Sequence, residues 1–123
     1  MKKSVLIIDD DVSAQILLQK IVMDKGYECI IRSNGKEGLE ALEEENVSFI
    51  FTDYKMPVMD GLAMIKKIHK NPKWSHIPIV LISGHVSFKE AGKFLEYGVK
   101  GFMEKPFNIN GIENFLEQYK PLI

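Results

Sequence analysis

The segment SFIFTDYKMPVMDG, residues 48–61, combines a short apolar run, an acidic residue and the start of a helix. Its apolar residues Phe49–Phe51 are aromatic or β-branched and are followed by polar residues, which is typical of a strand buried on both faces. Asp60, just before a glycine and an apolar helical pattern, is a good helix N-cap. The segment therefore predicts a strand that ends at Asp53 and leads through a loop into a helix.

The same alternation of short apolar runs and amphipathic segments extends in both directions along the chain. The other runs that predict strands buried on both faces are Val5–Ile8, Cys29–Ile31, Ile79–Ile82 and Gly101–Met103. Apolar residues at helical spacing predict a helix after each strand. These residues are Ile16, Leu17, Ile21 and Val22; Leu39 and Leu42; Leu62, Ile65 and Ile68; Ala91, Phe94 and Leu95; and Ile109, Ile112, Leu116 and Tyr119. Five strand–helix units predict an α/β fold, a three-layer sandwich with a five-stranded parallel sheet between helices.

Glycine and capping residues stand where the predicted helices should begin and end. Gly26 and Gly98 follow the first and fourth predicted helices, where a glycine commonly ends a helix. Asn108 is the predicted N-cap of the last helix.

Length and composition define the broad class of protein. The 123 residues, 46% of them hydrophobic, fit a single globular domain over residues 1–123. Lys and Arg number 16 against 17 Asp and Glu, and this balance argues against a nucleic-acid surface. No window approaches the ~20 apolar residues of a membrane span, and Val5–Ile8 is too short for a signal peptide. The single cysteine, Cys29, cannot form an internal disulfide, so a cytoplasmic location is expected.

Polar residues with complementary chemistry stand at the ends of four predicted strands. Asp9 and Asp10 follow the first strand, Asp53 the third, and Lys105 the fifth, while Ser83 ends the fourth. Ligands of open parallel sheets bind at these carboxyl ends. Three converging carboxylates repel one another unless a cation joins them, and Mg²⁺ is the hard, oxygen-seeking cation expected there. With a lysine and a hydroxyl, the set predicts a phosphoryl-transfer site.

The motifs IIDDD (7–11), TDYKMPVMDG (52–61), LISG (81–84) and KGFMEKPF (100–107) together resemble the receiver domain of bacterial response regulators. The resemblance covers the whole chain and implies a flavodoxin-like fold with strand order 2-1-3-4-5. It also implies a function in two-component phosphorelay signalling. A sensor histidine kinase, a histidine phosphotransfer protein or a small phosphodonor would give its phosphoryl group to an aspartate. The chain would then be a signalling domain that catalyses only its own phosphorylation and slow dephosphorylation.

The resemblance assigns the metal and acceptor roles residue by residue. Asp53 matches the phosphoacceptor, and Asp9 and Asp10 match the acidic pair. Asp10 is then a direct Mg²⁺ ligand, Asp9 acts mainly through a bound water, and the backbone carbonyl of Lys55 completes the protein ligands.

The resemblance also assigns the switch. Ser83 matches the hydroxyl that bonds the phosphoryl group, and Ser83, Gly84 and Lys105 form the expected phosphate-binding set. The peptide bond after Lys105 precedes a proline and is expected to be cis. Phe102 stands at the aromatic switch position, where many family members have Tyr. The face made by the fourth helix, fifth strand and fifth helix would bind a downstream effector domain or protein.

The same residues have other possible interpretations. Asp9 and Asp10 could form a solvated turn, although their coincidence with Asp53 favours a site; Asp11 is interpreted only as a helix cap. A phosphatase of the aspartate-phosphorylating kind would need an aspartate where Lys55 stands. A receiver-like binding module without phosphorylation would lack part of the acidic set, and a flavodoxin would need a Ser/Thr/Gly-rich loop after the first strand. A stand-alone receiver and the first domain of a longer regulator stay open alternatives.

Overall fold

The computed structural model describes residues 3–120, and the predicted domain ends at residues 1 and 123 lie outside that range. The strands are β1 (Ser4–Ile8), β2 (Glu28–Arg32), β3 (Val47–Thr52), β4 (Ile79–Ser83) and β5 (Gly101–Glu104). The helices are α1 (Val12–Asp24), α2 (Gly35–Glu44), α3 (Gly61–Lys70), α4 (Phe88–Glu96) and α5 (Ile109–Gln118). All strand pairs are parallel and the sheet order is β2-β1-β3-β4-β5, so the predicted fold class and strand order are confirmed.

Two hydrophobic clusters lie on opposite faces of the sheet. In β1, Leu6 and Ile8 pack in the cluster that includes α2, α3 and α4, whereas Val5 and Ile7 pack in the cluster that includes α1 and α5. This separation follows from the alternation of side chains along a strand. All of these β1 residues are fully buried. The sheet is therefore covered on both faces, as predicted for a three-layer sandwich.

The prediction that every strand is buried on both faces is right for the centre of the sheet and wrong for its edges. Each residue of β1, β3 and β4 is buried. The strands β2 and β5 are only partly buried, with an exposed residue at one end of each. They differ because each pairs with a neighbour on one side only.

The first helix buries only part of the apolar set that predicted it: Ile21 and Val22 are buried, but Ile16 and Leu17 are not. Ile16 and Leu17 are 61% and 42% exposed, and Leu95 and Ile109 of later helices are also exposed. The buried residues of α1 are Ala14, Leu18, Ile21 and Val22. This stripe follows helical spacing and includes a small alanine, which a search for large apolar residues passes over.

The predicted helix ends are confirmed. Gly26 and Gly98 have φ angles of 91° and 88°, a left-handed conformation that glycine adopts without steric cost. Asp60 and Asn108 are the N-caps of α3 and α5, and each side chain accepts a backbone N–H bond, at 2.9 and 2.6 Å. Among residues 3–120, no helix is long and apolar enough to cross a membrane.

Candidate functional site

The parallel sheet brings the candidate residues to one edge. Ile8 and Thr52 are paired in register, so the residues that follow them, Asp9 and Asp53, lie side by side. The backbone N–H of Asp53 donates to the Ile8 carbonyl at 2.8 Å. The backbone N–H of Lys105 donates to the carbonyl of Ser83 at 2.8 Å in the same way. The end of the sheet therefore supplies a rigid support for these side chains.

Lys105 joins two of the carboxylates. Its ammonium nitrogen lies 2.7 Å from Asp9 Oδ2 and 2.9 Å from Asp53 Oδ2. One carboxylate oxygen from each of Asp9, Asp10 and Asp53 lies within 4.8 Å of the others. Asp9 and Asp53 are buried and Asp10 is exposed. One cation thus faces three carboxylates, which leaves an excess of negative charge.

The ionisation of the buried groups follows from this arrangement. Burial raises the pKa of Asp9 above its ordinary value and the charge of Asp53 adds to the effect, although Lys105 and the Asp11 N–H oppose it. Burial alone would lower the pKa of Lys105, but the attraction of the Asp9 and Asp53 carboxylates outweighs it, and the pKa is raised. Lys105 is therefore a stable cation at the pH of a cell.

We expect Asp9→Asn to stabilise the metal-free protein. A carboxyl whose folded pKa is raised binds more protons in the folded state, so stability falls as pH rises from the ordinary Asp pKa to the raised value. The penalty appears above the ordinary Asp pKa and grows with pH until the Asp9 carboxyl is ionised. The variant should gain roughly 1 kcal/mol in free energy of unfolding at pH 7, within the usual range for relief of site strain. The gain should shrink as the pH falls toward 3.8, the ordinary pKa.

Urea unfolding in EDTA, at several pH values, measures this difference. Asp24→Asn is the matched control, because Asp24 lies exposed at the end of α1 and forms a salt bridge with exposed Lys20; it should change stability by a few tenths of a kcal/mol at most. A less stable Asp9→Asn protein at pH 7 would mean that the Lys105 ion pair outweighs the cost of burial.

The residues present fit a hard divalent cation. Asp9 Oδ2 is buried and has no hydrogen-bond donor in good geometry among residues 3–120; the Lys105 ammonium is an ion-pair contact. Such an acceptor, close to the exposed carboxylate of Asp10 and the buried carboxylate of Asp53, suits an ion that prefers oxygen ligands. Lys55 follows in the β3–α3 loop, with its side chain exposed and its ammonium 4.0 Å from the Tyr54 ring centroid. The role of its carbonyl stays a prediction.

The other predicted site residues occupy the neighbouring strand ends. Ser83 is buried at the end of β4, and Gly84 is exposed directly after it. Phe102 on β5 is partly buried and packs edge-to-face on Phe94 of α4, with ring centroids 6.3 Å apart. The Lys105–Pro106 bond is cis, as predicted. The phosphate-binding and switch roles of these residues stay predictions.

Asp11 lies next to the acidic cluster and has a different role. It is the N-cap of α1, and its side chain accepts a hydrogen bond from Ser13 N–H at 3.0 Å. The interpretation of Asp11 as a helix cap is confirmed.

The close packing around residue 61 explains why a glycine ends the TDYKMPVMDG segment. A Cβ at this position would collide with the backbone carbonyl of Asp53, and it would lie 3.1 Å from Tyr54 Cα. The Gly61 N–H also donates to the Tyr54 carbonyl at 2.7 Å. The first turn of α3 is thereby pinned against the backbone of Asp53.

Two residues that support the site were missed by sequence reasoning. The backbone N–H of Tyr54 donates to Asp53 Oδ1 at 2.6 Å, and the Tyr54 ring packs edge-to-face on Phe94. Gln15 Nε2 donates to the backbone carbonyl of Asp9 at 2.5 Å. The adjacency of Tyr54 to Asp53 was a usable signal. For Gln15 the signal was weaker. Gln15 lies one helical turn after Asp11, the N-cap of α1, and its side chain can therefore reach the loop between β1 and α1.

The family model described as response regulator receiver domain matches residues 5–117. The sporulation initiation phosphotransferase F of Bacillus subtilis is 28% identical, over 99% of this chain and 97% of that protein. The DNA-binding transcriptional regulator NtrC of Escherichia coli is 30% identical over 95% of this chain and 26% of that protein. The chain spans a quarter to a half of the length of the transcriptional regulators it matches.

The comparison with solved structures also finds response regulator proteins. A CheY-like response regulator receiver domain protein from Methanospirillum hungatei superposes with a TM-score of 0.89 at 27% identity, over 99% of this chain and 97% of that one. The chemotaxis response regulator CheY4 of Vibrio cholerae gives a TM-score of 0.87 at 27% identity, over 96% of this chain and 98% of that one. Both matches confirm the predicted fold over nearly the whole chain.

Proposed function

This chain belongs to the response regulator receiver domain family, and we propose that within it Asp53 is the residue that accepts the phosphoryl group. Phosphorylation and control of an output are typical of this family, which is generally a family of signalling domains rather than of classical enzymes, and its members generally depend on Mg²⁺. The observation that carries the assignment is the Lys105 ammonium held between Asp53 and Asp9 at the edge of the sheet. Intact-mass measurement of the wild type and Asp53→Asn after incubation with acetyl phosphate and Mg²⁺ tests it.

The chain's own residues would carry out the transfer. A carboxylate oxygen of Asp53 attacks the phosphorus of the donor; the new O–P bond forms as the donor's P–N or P–O bond breaks, and the donor keeps that electron pair. Lys105 stabilises the charge on the phosphoryl oxygens, and the Ser83 hydroxyl donates to one of them. The hydrogen bond from Tyr54 N–H fixes the Asp53 carboxylate for in-line attack.

Mg²⁺ would be held by Asp10, Asp53 and the Lys55 carbonyl, with Asp9 acting through a bound water. When bound, it supplies positive charge to the transferring phosphoryl group. Support for this ligand set comes from the clustered oxygens of Asp9, Asp10 and Asp53 and from the buried Asp9 oxygen that has no hydrogen-bond donor in good geometry.

A phosphohistidine donor, on a sensor histidine kinase or a histidine phosphotransfer protein, would dock beside this site. An open cavity of about 410 Å³ adjoins it, lined by α1 and by the segment after β5, including Leu17, Lys105 and Phe107. The exposed side chain of Ile16 adds apolar area on the same helix. A donor covering this surface would bring its phosphoryl group to the edge where Asp53 lies. We place this exchange in the cytoplasm, which the single cysteine supports.

The switch would act through Ser83 and Phe102. A phosphoryl group on Asp53 attracts the Ser83 hydroxyl, and movement of the Ser83–Gly84 segment opens space for Phe102 to turn. Because Phe102 packs on Phe94, its rotation would alter α4. An effector domain or protein would recognise shape and apolar area on the face of α4, β5 and α5; α4 and α5 carry the exposed apolar residues Leu95 and Ile109. Phosphorylation shifts this equilibrium only as far as it favours one packing over the other.

Ser83→Ala should separate the chemistry from the switch. The variant keeps every predicted metal ligand, so we expect it to bind beryllofluoride, a phosphoryl mimic, with at most a roughly tenfold loss, the cost of about one charge-assisted hydrogen bond. The NMR shift of Phe102 on beryllofluoride binding should fall to a small fraction of the wild-type change. Ser48→Ala is the control, because Ser48 is also buried but lies on β3 away from this edge. A wild-type Phe102 response in Ser83→Ala would show that the hydroxyl is not the relay.

A further inference from the structure

We infer that Gln15 is a positioning residue for the metal site, which holds the Asp9–Asp10 peptide so that both carboxylates stay in an arrangement ready for a cation. The inference rests on the proposed function, because it takes Asp9 and Asp10 to be the acidic pair beside Mg²⁺.

The side chain of Gln15 connects three segments of the chain. Gln15 lies on α1 and is partly buried. Its amide nitrogen donates to the backbone carbonyl of Asp9 at 2.5 Å and lies 3.4 Å from Ser33 Oγ in the loop between β2 and α2. One amide group thereby ties α1 to the β1–α1 loop and to the neighbouring loop.

The hydrogen bond to the Asp9 carbonyl controls the direction of Asp10. The carbonyl of Asp9 and the N–H of Asp10 belong to one planar peptide unit, so fixing the carbonyl fixes the path of the chain to the Asp10 Cα. Two other bonds hold this segment: Asp9 N–H donates to the Arg32 carbonyl at 3.0 Å, and Asp9 Oδ1 accepts from Asp11 N–H, beyond Asp10, at 2.9 Å. Gln15 is the side chain that holds the carbonyl of the Asp9–Asp10 peptide itself.

The metal-free site needs such a hold. Asp9, Asp10 and Asp53 carry like charges within 4.8 Å of one another, and Lys105 contacts Asp9 and Asp53. Rotation of the Asp9–Asp10 peptide would move the exposed Asp10 carboxylate away from the others and relieve repulsion. A cation would then have to restore the arrangement at the cost of part of its binding free energy. Gln15 keeps the peptide in place beforehand.

Gln15→Leu removes the donor and keeps a side chain of similar bulk. We expect its Mg²⁺ affinity to fall about fivefold, the value of one net hydrogen bond. Gln15→Arg retains N–H donors and should stay within about twofold of the wild type on the same reasoning. Gln19→Leu is the matched control, since Gln19 lies one turn further along α1 with similar partial burial, and its affinity should not change. The affinities are measured by NMR titration with Mg²⁺ alone, and the free energy of unfolding is measured in EDTA.

The two measurements distinguish positioning from a purely structural tether of α1. A Gln15→Leu protein that is less stable but binds Mg²⁺ as the wild type does would overturn the inference. An equal loss of affinity in Gln19→Leu would overturn it too. If Gln15→Leu leaves the affinity unchanged while Asp10→Asn lowers it, only the inference on Gln15 fails. A wild-type protein that binds no Mg²⁺ would overturn the inference together with the proposed metal site.

Discussion

Asp53→Asn will gain no stable phosphoryl group when it is incubated with acetyl phosphate and Mg²⁺, whereas the wild type will. The amide nitrogen and oxygen of asparagine are poor nucleophiles, and the change leaves the backbone at the sheet edge intact. Asp53 is the carboxylate of the cluster that follows the third strand. It contacts Lys105, and its Oδ1 accepts a hydrogen bond from Tyr54 N–H. Loss of the covalent step is therefore expected to be complete within the sensitivity of intact-mass spectrometry.

Asp24→Asn is the control for this measurement, because Asp24 is exposed at the far end of α1. It should be phosphorylated as the wild type is. Circular dichroism on Asp53→Asn establishes that the variant is folded. A stable phosphoryl group on folded Asp53→Asn would show that another residue is the acceptor.

Asp10→Asn should weaken Mg²⁺ binding at least about tenfold. A change to an outer-shell partner of a metal ligand typically lowers the metal affinity about 10–100-fold. A change to a carboxylate that binds the metal directly should lower it at least as much. Asp10 is exposed while Asp9 and Asp53 are buried, so its negative charge is the part of the cluster that an arriving cation meets first. NMR titration measures the dissociation constant.

The neighbouring residue supplies a close control. Asp11 caps α1, and asparagine is an equally good N-cap, so Asp11→Asn removes the same charge one residue away without loss of the helix end. Its Mg²⁺ affinity should stay within about twofold, since a charge outside the ligand set acts only through screened solvent. Equal affinities in the wild type and Asp10→Asn would contradict the assignment of Asp10 as a ligand.

The fold could be predicted because the central strands are continuous apolar runs. Val5–Ile8, Phe49–Phe51 and Ile79–Ile82 are buried on both faces. Their sequences therefore contain no polar positions and differ clearly from the amphipathic helices between them. The strand order does not follow from these runs, because each central strand satisfies the same requirement. It came from the resemblance of the four motifs to a family.

The candidate site could be predicted in part because strand ends are easy to locate. Asp9, Asp53 and Lys105 each follow a strand, and the structure brings Lys105 within ion-pair distance of both carboxylates. The hold that Gln15 exerts on Asp9 could not be predicted, because it depends on the rotation of α1 about its axis. The same rotation leaves Ile16 exposed although its spacing helped to predict α1, since the apolar pattern was compatible with more than one buried face.

The most direct measurement of the central claim is to locate the phosphoryl group on the wild-type protein. Borohydride reduces an aspartyl phosphate to homoserine, so phosphorylation with acetyl phosphate and Mg²⁺, reduction, proteolysis and peptide sequencing by mass spectrometry identify the acceptor. The account predicts homoserine in place of Asp53 and aspartate at Asp9, Asp10 and Asp11. Homoserine at another aspartate, or phosphate found only on a serine or histidine, would contradict it.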